Sequence, residues 1–167
     1  MNVLLLRCMR GIIKILLLGV VLMFSACRQE EIVEKNYFLY QAGFVPTSGN
    51  AKVTDLGEGG IQITIQLKPF VSGQYPAHLH FGDINQTGEL AVRLSDLDGK
   101  TGKSVTILKD QVMSNGEVLT YQKFLEMNGS IRVHTNDLLN KSVVLAYGNV
   151  GKNDNYLDSG LTICIGH

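Results

Sequence analysis

Cysteine is scarce and cannot brace the fold. Of three cysteines, Cys8 and Cys27 belong to the N-terminal apolar region and Cys164 lies near the far end, so the globular part has no pair for a disulfide and must hold by packing. A charge excess of either sign is also missing. Basic and acidic residues number 15 each, which argues against nucleic acid or an anionic surface as the main partner. Beyond the first 27 residues there is no long hydrophobic run, and nowhere is there an internal repeat or a low-complexity tract. Specific catalytic motifs are lacking as well. Gly57-Glu58-Gly59-Gly60 precedes a strand pattern, so it is a turn and not a phosphate cradle at a helix start. The serines have no nucleophile elbow, and Asp96, Asp98 and Gly99 lack the bidentate glutamate of a calcium loop.

What the chain does have begins at its start. Arg7, Arg10 and Lys14 are the only charges before Cys27, and Ile12 to Phe24 is almost wholly apolar, the pattern of a secretory signal peptide. That core is shorter than the roughly 20 residues needed to cross a hydrocarbon layer. Ser25-Ala26-Cys27 resembles the lipobox of bacterial lipoproteins, with Phe24 where leucine is usual. The resemblance implies that residues 1–26 are removed, that Cys27 is lipidated, and that the protein is held at a membrane of the bacterial cell envelope. Two or three acyl chains make such an anchor stable, whereas one binds only marginally. Removing three positive charges leaves 12 basic against 15 acidic residues, a net charge near −3. Residues 27–35, with Arg28-Gln29-Glu30-Glu31, carry no apolar period and are expected to form a flexible tether. Residues 36–167 are long enough for one domain with its own core.

Within that domain the patterning is that of strands. Ile61-Gln62-Ile63-Thr64-Ile65-Gln66-Leu67-Lys68 alternates apolar and polar side chains without a fault, so one face is buried and the other wet. Looser strand patterns cover Tyr37 to Phe44, Ala51 to Leu56, Ala77 to Phe81, Leu90 to Leu94, Ser104 to Leu108, Ser130 to His134, Ser142 to Tyr147 and Leu161 to Ile165. Turn clusters separate them, among them Asp98 to Gly102, Ser114-Asn115-Gly116 and Gly148 to Asp154. Short strands at this spacing predict an all-β, antiparallel sandwich or barrel. One short helix is expected at Thr120 to Met127, where Tyr121, Phe124 and Leu125 have helical spacing and Asn128-Gly129 supplies a stop.

Histidine is the residue type with chemical promise. His78 and His80 flank Leu79 on a strand, so the pleat sends both imidazoles to one face. Arg132 and His134 likewise lie on the face opposite Ile131 and Val133. Imidazole is the commonest ligand of zinc and copper, and three on neighbouring strands would form a site open to water or substrate. His78, His80 and His134 are therefore the candidate metal ligands, for copper or zinc. The alternative is structural: rings on such a strand also hydrogen-bond to loop carbonyls and fix an edge. The strand pattern alone does not bring His134 to the other two.

Tyr75-Pro76-Ala77-His78-Leu79-His80-Phe81-Gly82, Gly88 to Leu94, and Gly129-Ser130-Ile131-Arg132-Val133-His134-Thr135 together resemble the chordin-type CHRD domain, over about residues 36–167. The resemblance implies a β-rich exported module. That family's usual Pro-x-Gly-Glu-Ile-Arg-Gly continuation is replaced by Asn136 to Asn140, which weakens transfer of partner binding. His78 to Asp83, Val133 to Leu138 and Leu161 to Gly166 are similar, in the same order, to segments of copper-zinc superoxide dismutase. This second likeness implies a Greek-key β-barrel with His78, His80 and His134 as three copper ligands. Phe81 to Lys109 contains no histidine, so the bridging ligand and the other zinc histidines of that enzyme have no counterpart, and dismutase activity is not expected.

Two functional classes follow. The first is a non-catalytic, lipid-anchored envelope module that binds an unknown protein or surface ligand through its loops, with no cofactor required. The second is a protein that stores, carries or reacts with copper or zinc at the three histidines.

Overall fold

A computed structural model of the chain describes residues 32–43, 45–85, 88–136 and 143–154. The alternating run seen in the sequence forms β3, Gly60–Leu67, with Ile61, Ile63, Ile65 and Leu67 buried while Gln62, Thr64 and Gln66 face outward. Each fully buried branched aliphatic side chain contributes about 1.5–3 kcal/mol relative to exposure. The rest of the sheet is built around this pattern: β1 (Glu34–Gln41), β2 (Gly49–Gly57), β4 (Gln74–Tyr75), β5 (Ala77–Phe81), β6 (Leu90–Arg93), β7 (Leu97–Asp98), β8 (Lys103–Leu108), β9 (Asn128–His134) and β10 (Val144–Gly151).

All pairings are antiparallel, in the order β4-β7-β8-β3-β2-β1-β10-β9-β5-β6. The expected antiparallel β architecture is thus present, as a curled half-barrel with one short helix. β1 is the corner. Its residues 34–39 pair with β2, whereas Tyr40 and Gln41 pair with Tyr147 and Ala146 of β10. Curling closes the two halves over a shared interior: Ile61, Ile63 and Ile65 from one half, and Ala77, Leu79, Ile131, Val133 and Ala146 from the other, are all buried in one core.

Ser95, just beyond the edge strand β6, reaches across to β8. Its N–H donates to Thr106 Oγ1 at 2.8 Å, and its carbonyl accepts from Ser104 Oγ at 2.7 Å. Ser104 and Thr106 lie on the inward face of β8, and these bonds satisfy hydroxyls that burial would otherwise strand.

Helix α1 spans Tyr121–Glu126, with Thr120 as N-cap accepting from the Lys123 N–H. Phe124 enters the core, its ring centroid 5.8 Å from that of Tyr37. The helix ends differently from the sequence expectation. Met127 takes an extended backbone and the chain passes straight into β9, so no left-handed glycine stops it. Among the other bounds that differ, β1 starts at Glu34, before Tyr37; β9 takes in Asn128 and Gly129, expected as a stop; β10 runs on through Gly148 to Gly151, expected as a turn; and the two-residue β4 and β7 have no counterpart in the sequence reading. The strand expected at Leu161 to Ile165 lies outside the described residues, as do Cys27 and Cys164.

Candidate metal centre

The outward face of β5 and β9 carries the candidate chemistry. The register sets His78 opposite Arg132 and His80 opposite Ser130, while the His134 N–H donates to the Pro76 carbonyl at 2.8 Å. His78 and His134 are therefore diagonal neighbours across the strand pair, a separation that side chains of imidazole length can bridge. The ring centroids are 5.0 Å apart for His78 and His134, 5.8 Å for His78 and His80, and 6.2 Å for His80 and His134. His80 and His134 lie four register positions apart, and their closeness means that both rings lean toward His78.

One nitrogen from each ring lies within 4.8 Å of the others. Ligands on a tetrahedral ion with bonds of 2.0–2.1 Å are about 3.3 Å apart, so the rings need only close by an ångström or so to share an ion. The three histidines that the sequence singled out are thus brought together, including His134, whose placement the pattern had left open. All three are half-buried.

Residues 82–85 and 88–89, between β5 and β6, account for that partial burial. They cross the outward face: Gly82 N–H donates to the Asn128 carbonyl at 2.9 Å, and Ile84 N–H to Asn149 Oδ1 at 3.0 Å. The Gly88 carbonyl lies 3.0 Å from His80 Nδ1. A carbonyl only accepts, so Nδ1 carries the proton and Nε2 keeps its lone pair. That Nε2 is buried and has no hydrogen-bond partner among the described residues, a costly condition for a polar atom that a metal would relieve.

Electrostatics favours the same state. Burial above all, then the neighbouring His134, His80 and Arg93, pulls His78 down to about 4, against a smaller opposite pull from Asp96. Burial also lowers His80, and Arg132 adds to this, although the Gly88 bond acts the other way. Neutral imidazole is the form that binds metal, and with no carboxylate in the cluster the donor set is three neutral nitrogens. Such a set suits copper or zinc and leaves a coordination position for an outside ligand.

Sequence reasoning missed the loop. Neither the Gly88 carbonyl nor the Asp83 carbonyl, which accepts from Arg132 Nη2 at 3.3 Å, has a side-chain signature. No family model, curated protein or solved structure matches the chain.

Proposed function

We propose that this protein is a lipid-anchored component of a bacterial cell envelope whose β domain binds copper or zinc through His78, His80 and His134. The observation that carries the reading is the convergence of three half-buried imidazoles, their ligand atoms within 4.8 Å of one another. Anchoring at Cys27, a CHRD-like character and a Greek-key barrel of the superoxide dismutase kind belong to the same proposal. The barrel is supported by strand order. Setting aside the two-residue β4 and β7, the chain leaves β3 for the opposite half at β5 and β6, then returns so that β8 pairs with β3, before β9 and β10 complete the other half. Connections that carry the chain across and back between two halves support the Greek-key reading.

Metal storage or handling is favoured over dismutation, because the stretch from Phe81 to Lys109 offers no histidine for a bridging ligand. A second reading keeps one specific support. The His80 bond to Gly88 is also what a purely structural histidine would make, in a module that binds a protein or surface ligand without metal.

Metal binding separates the two. The full chain in detergent, exposed to copper or zinc and then desalted, is expected to retain one ion per chain, lost in His80→Ala and His134→Ala. Absence of binding at micromolar metal leaves the non-catalytic module as the function.

A further inference from the structure

Six large apolar side chains stand exposed at the end of the sheet where β1 begins. Ile32 is 71% exposed, Ile107 66% and Val112 52%, and Val33, Leu56 and Val118 lie between 43% and 49%. The ladder sets their level. Glu34, Thr54, Gln62 and Ile107 form one row across β1, β2, β3 and β8, and the Asp55 N–H donates to the Val33 carbonyl at 2.9 Å, one step past that row. A further step of the same antiparallel register brings Ile32 level with Leu56. Val112 and Val118 are bridge partners in the hairpin that follows β8. A Cβ on Gly59 would lie 3.9 Å from Thr120 Cγ2, so the segment after Val118 runs beside the β2–β3 turn at this same end.

Apolar residues exposed singly need no explanation, whereas a concentration of them marks an interaction surface. The other five large ones among the described residues are divided between the flanks and the far end. The nearby charges are largely matched. Glu34 pairs with Lys52 at 3.0 Å, and Glu58 with Lys109 and Glu117 with Lys123 at 3.2 Å each, so the surface neither seeks nor repels a charged partner strongly.

The length of the chain ahead of Ile32 selects the occupant. Cys27 precedes Ile32 by five residues, a reach of at most about 18 Å when fully extended. The eight residues of β3 span roughly 25 Å, so an anchor at Cys27 can bring the β1 end to a membrane surface but not the far end. We propose that this end of the domain seats in the interface of a lipid bilayer, with Leu56, Ile107 and Val112 entering the acyl boundary. The proposal rests on the lipid-anchor reading and adds to it a fixed orientation of the domain. Apolar area and not lipid charge supplies the attraction.

The chain contains no tryptophan, so single substitutions report position. The full chain is purified from cells in detergent, its lipid mass is measured, and it is reconstituted in phosphatidylcholine vesicles that carry bromine on their acyl chains. Emission of Ile107→Trp and of Val112→Trp is expected to shift to shorter wavelength and to lose intensity to the bromine. Val71→Trp should keep the emission of an indole in water, since Val71 is 68% exposed and follows Leu67 at the far end of β3. Adding Leu56→Asp to Ile107→Trp should weaken the quenching while the protein still floats with the vesicles. Absence of lipid mass would end the anchor reading and this seating with it. Lipidated, vesicle-bound protein whose Ile107→Trp and Val112→Trp emission is unquenched would overturn the seating alone, as would equal quenching in Val71→Trp. A shift without quenching that grows with protein concentration would overturn it in favour of a second copy of the chain.

Discussion

His80 Nδ1 is hydrogen-bonded to the backbone carbonyl of Gly88, eight residues ahead on the loop that crosses the candidate metal centre. The bond fixes which nitrogen of His80 keeps its lone pair, and it depends on a residue without a side chain. A Cβ on Gly88 would collide with the Phe81 carbonyl oxygen. Gly88→Ala must therefore shift the loop and pull its carbonyl off the ring. The expected result is a loss of about 1–3 kcal/mol in stability and a metal affinity lowered about 10–100-fold, as for other disrupted ligand-orienting bonds. Denaturant midpoints and competition against a chromophoric chelator measure the two effects; unchanged affinity would show that the carbonyl does not orient the ring.

The short helix depends on the core for its existence. Six residues are far fewer than an isolated helix needs, and α1 is held by Phe124, fully buried beside Tyr37. Phe124→Ala should cost about 3–5 kcal/mol. Thr120→Ala, which removes only the cap to Lys123, should cost about 1 kcal/mol. Equal losses in chemical denaturation would mean that the cap, and not the ring, holds the segment.

Much of this architecture was legible because strand periodicity and burial are one fact seen twice. Ala77 to Phe81 was delimited to the residue, and β3 to within one, since Gly60 and Pro69 punctuate a faultless alternation. The facing of His78, His80 and His134 followed from the same pleat. Their convergence did not, because it rests on which strands pair: β5 lies against β9 only after the chain crosses between the two halves of the sheet, and no local pattern records that. The Gly88 carbonyl was hidden for a related reason: it is a backbone group placed by a loop, to which side-chain identity contributes little.

Lipid attachment has a direct mass signature. If Cys27 is the acceptor, the cell-derived protein starts at residue 27 and carries diacylglycerol, and it partitions into detergent. Cys27→Ser should keep the leader and lose the lipid mass. A wild-type chain of unmodified mass would end the anchoring proposal while leaving the metal reading intact.

Acid should destabilise the fold through the histidines over a defined window. Unfolded, His78 takes up a proton below about 6.5; folded, it does so only near 4, because the ring is half buried among other imidazoles and Arg93. Between those values the unfolded state binds more protons, so unfolding free energy is level above 6.5 and declines as pH falls from there through 4. Solvent screening of a half-exposed ring reduces the full linkage value to about 1–2 kcal/mol, and His80, shifted in the same direction, adds to it. His78→Gln removes this component, so the stability difference between it and the parent chain should change with pH across this window and stay constant above it. A difference that is constant from pH 7 to 4 would mean that His78 titrates in the folded protein as it does in water. The same shift bears on metal. Protons compete poorly for a ring that protonates near 4, so occupancy of the His78 position should persist to about pH 5, well below the point at which an ordinary surface histidine releases its ion.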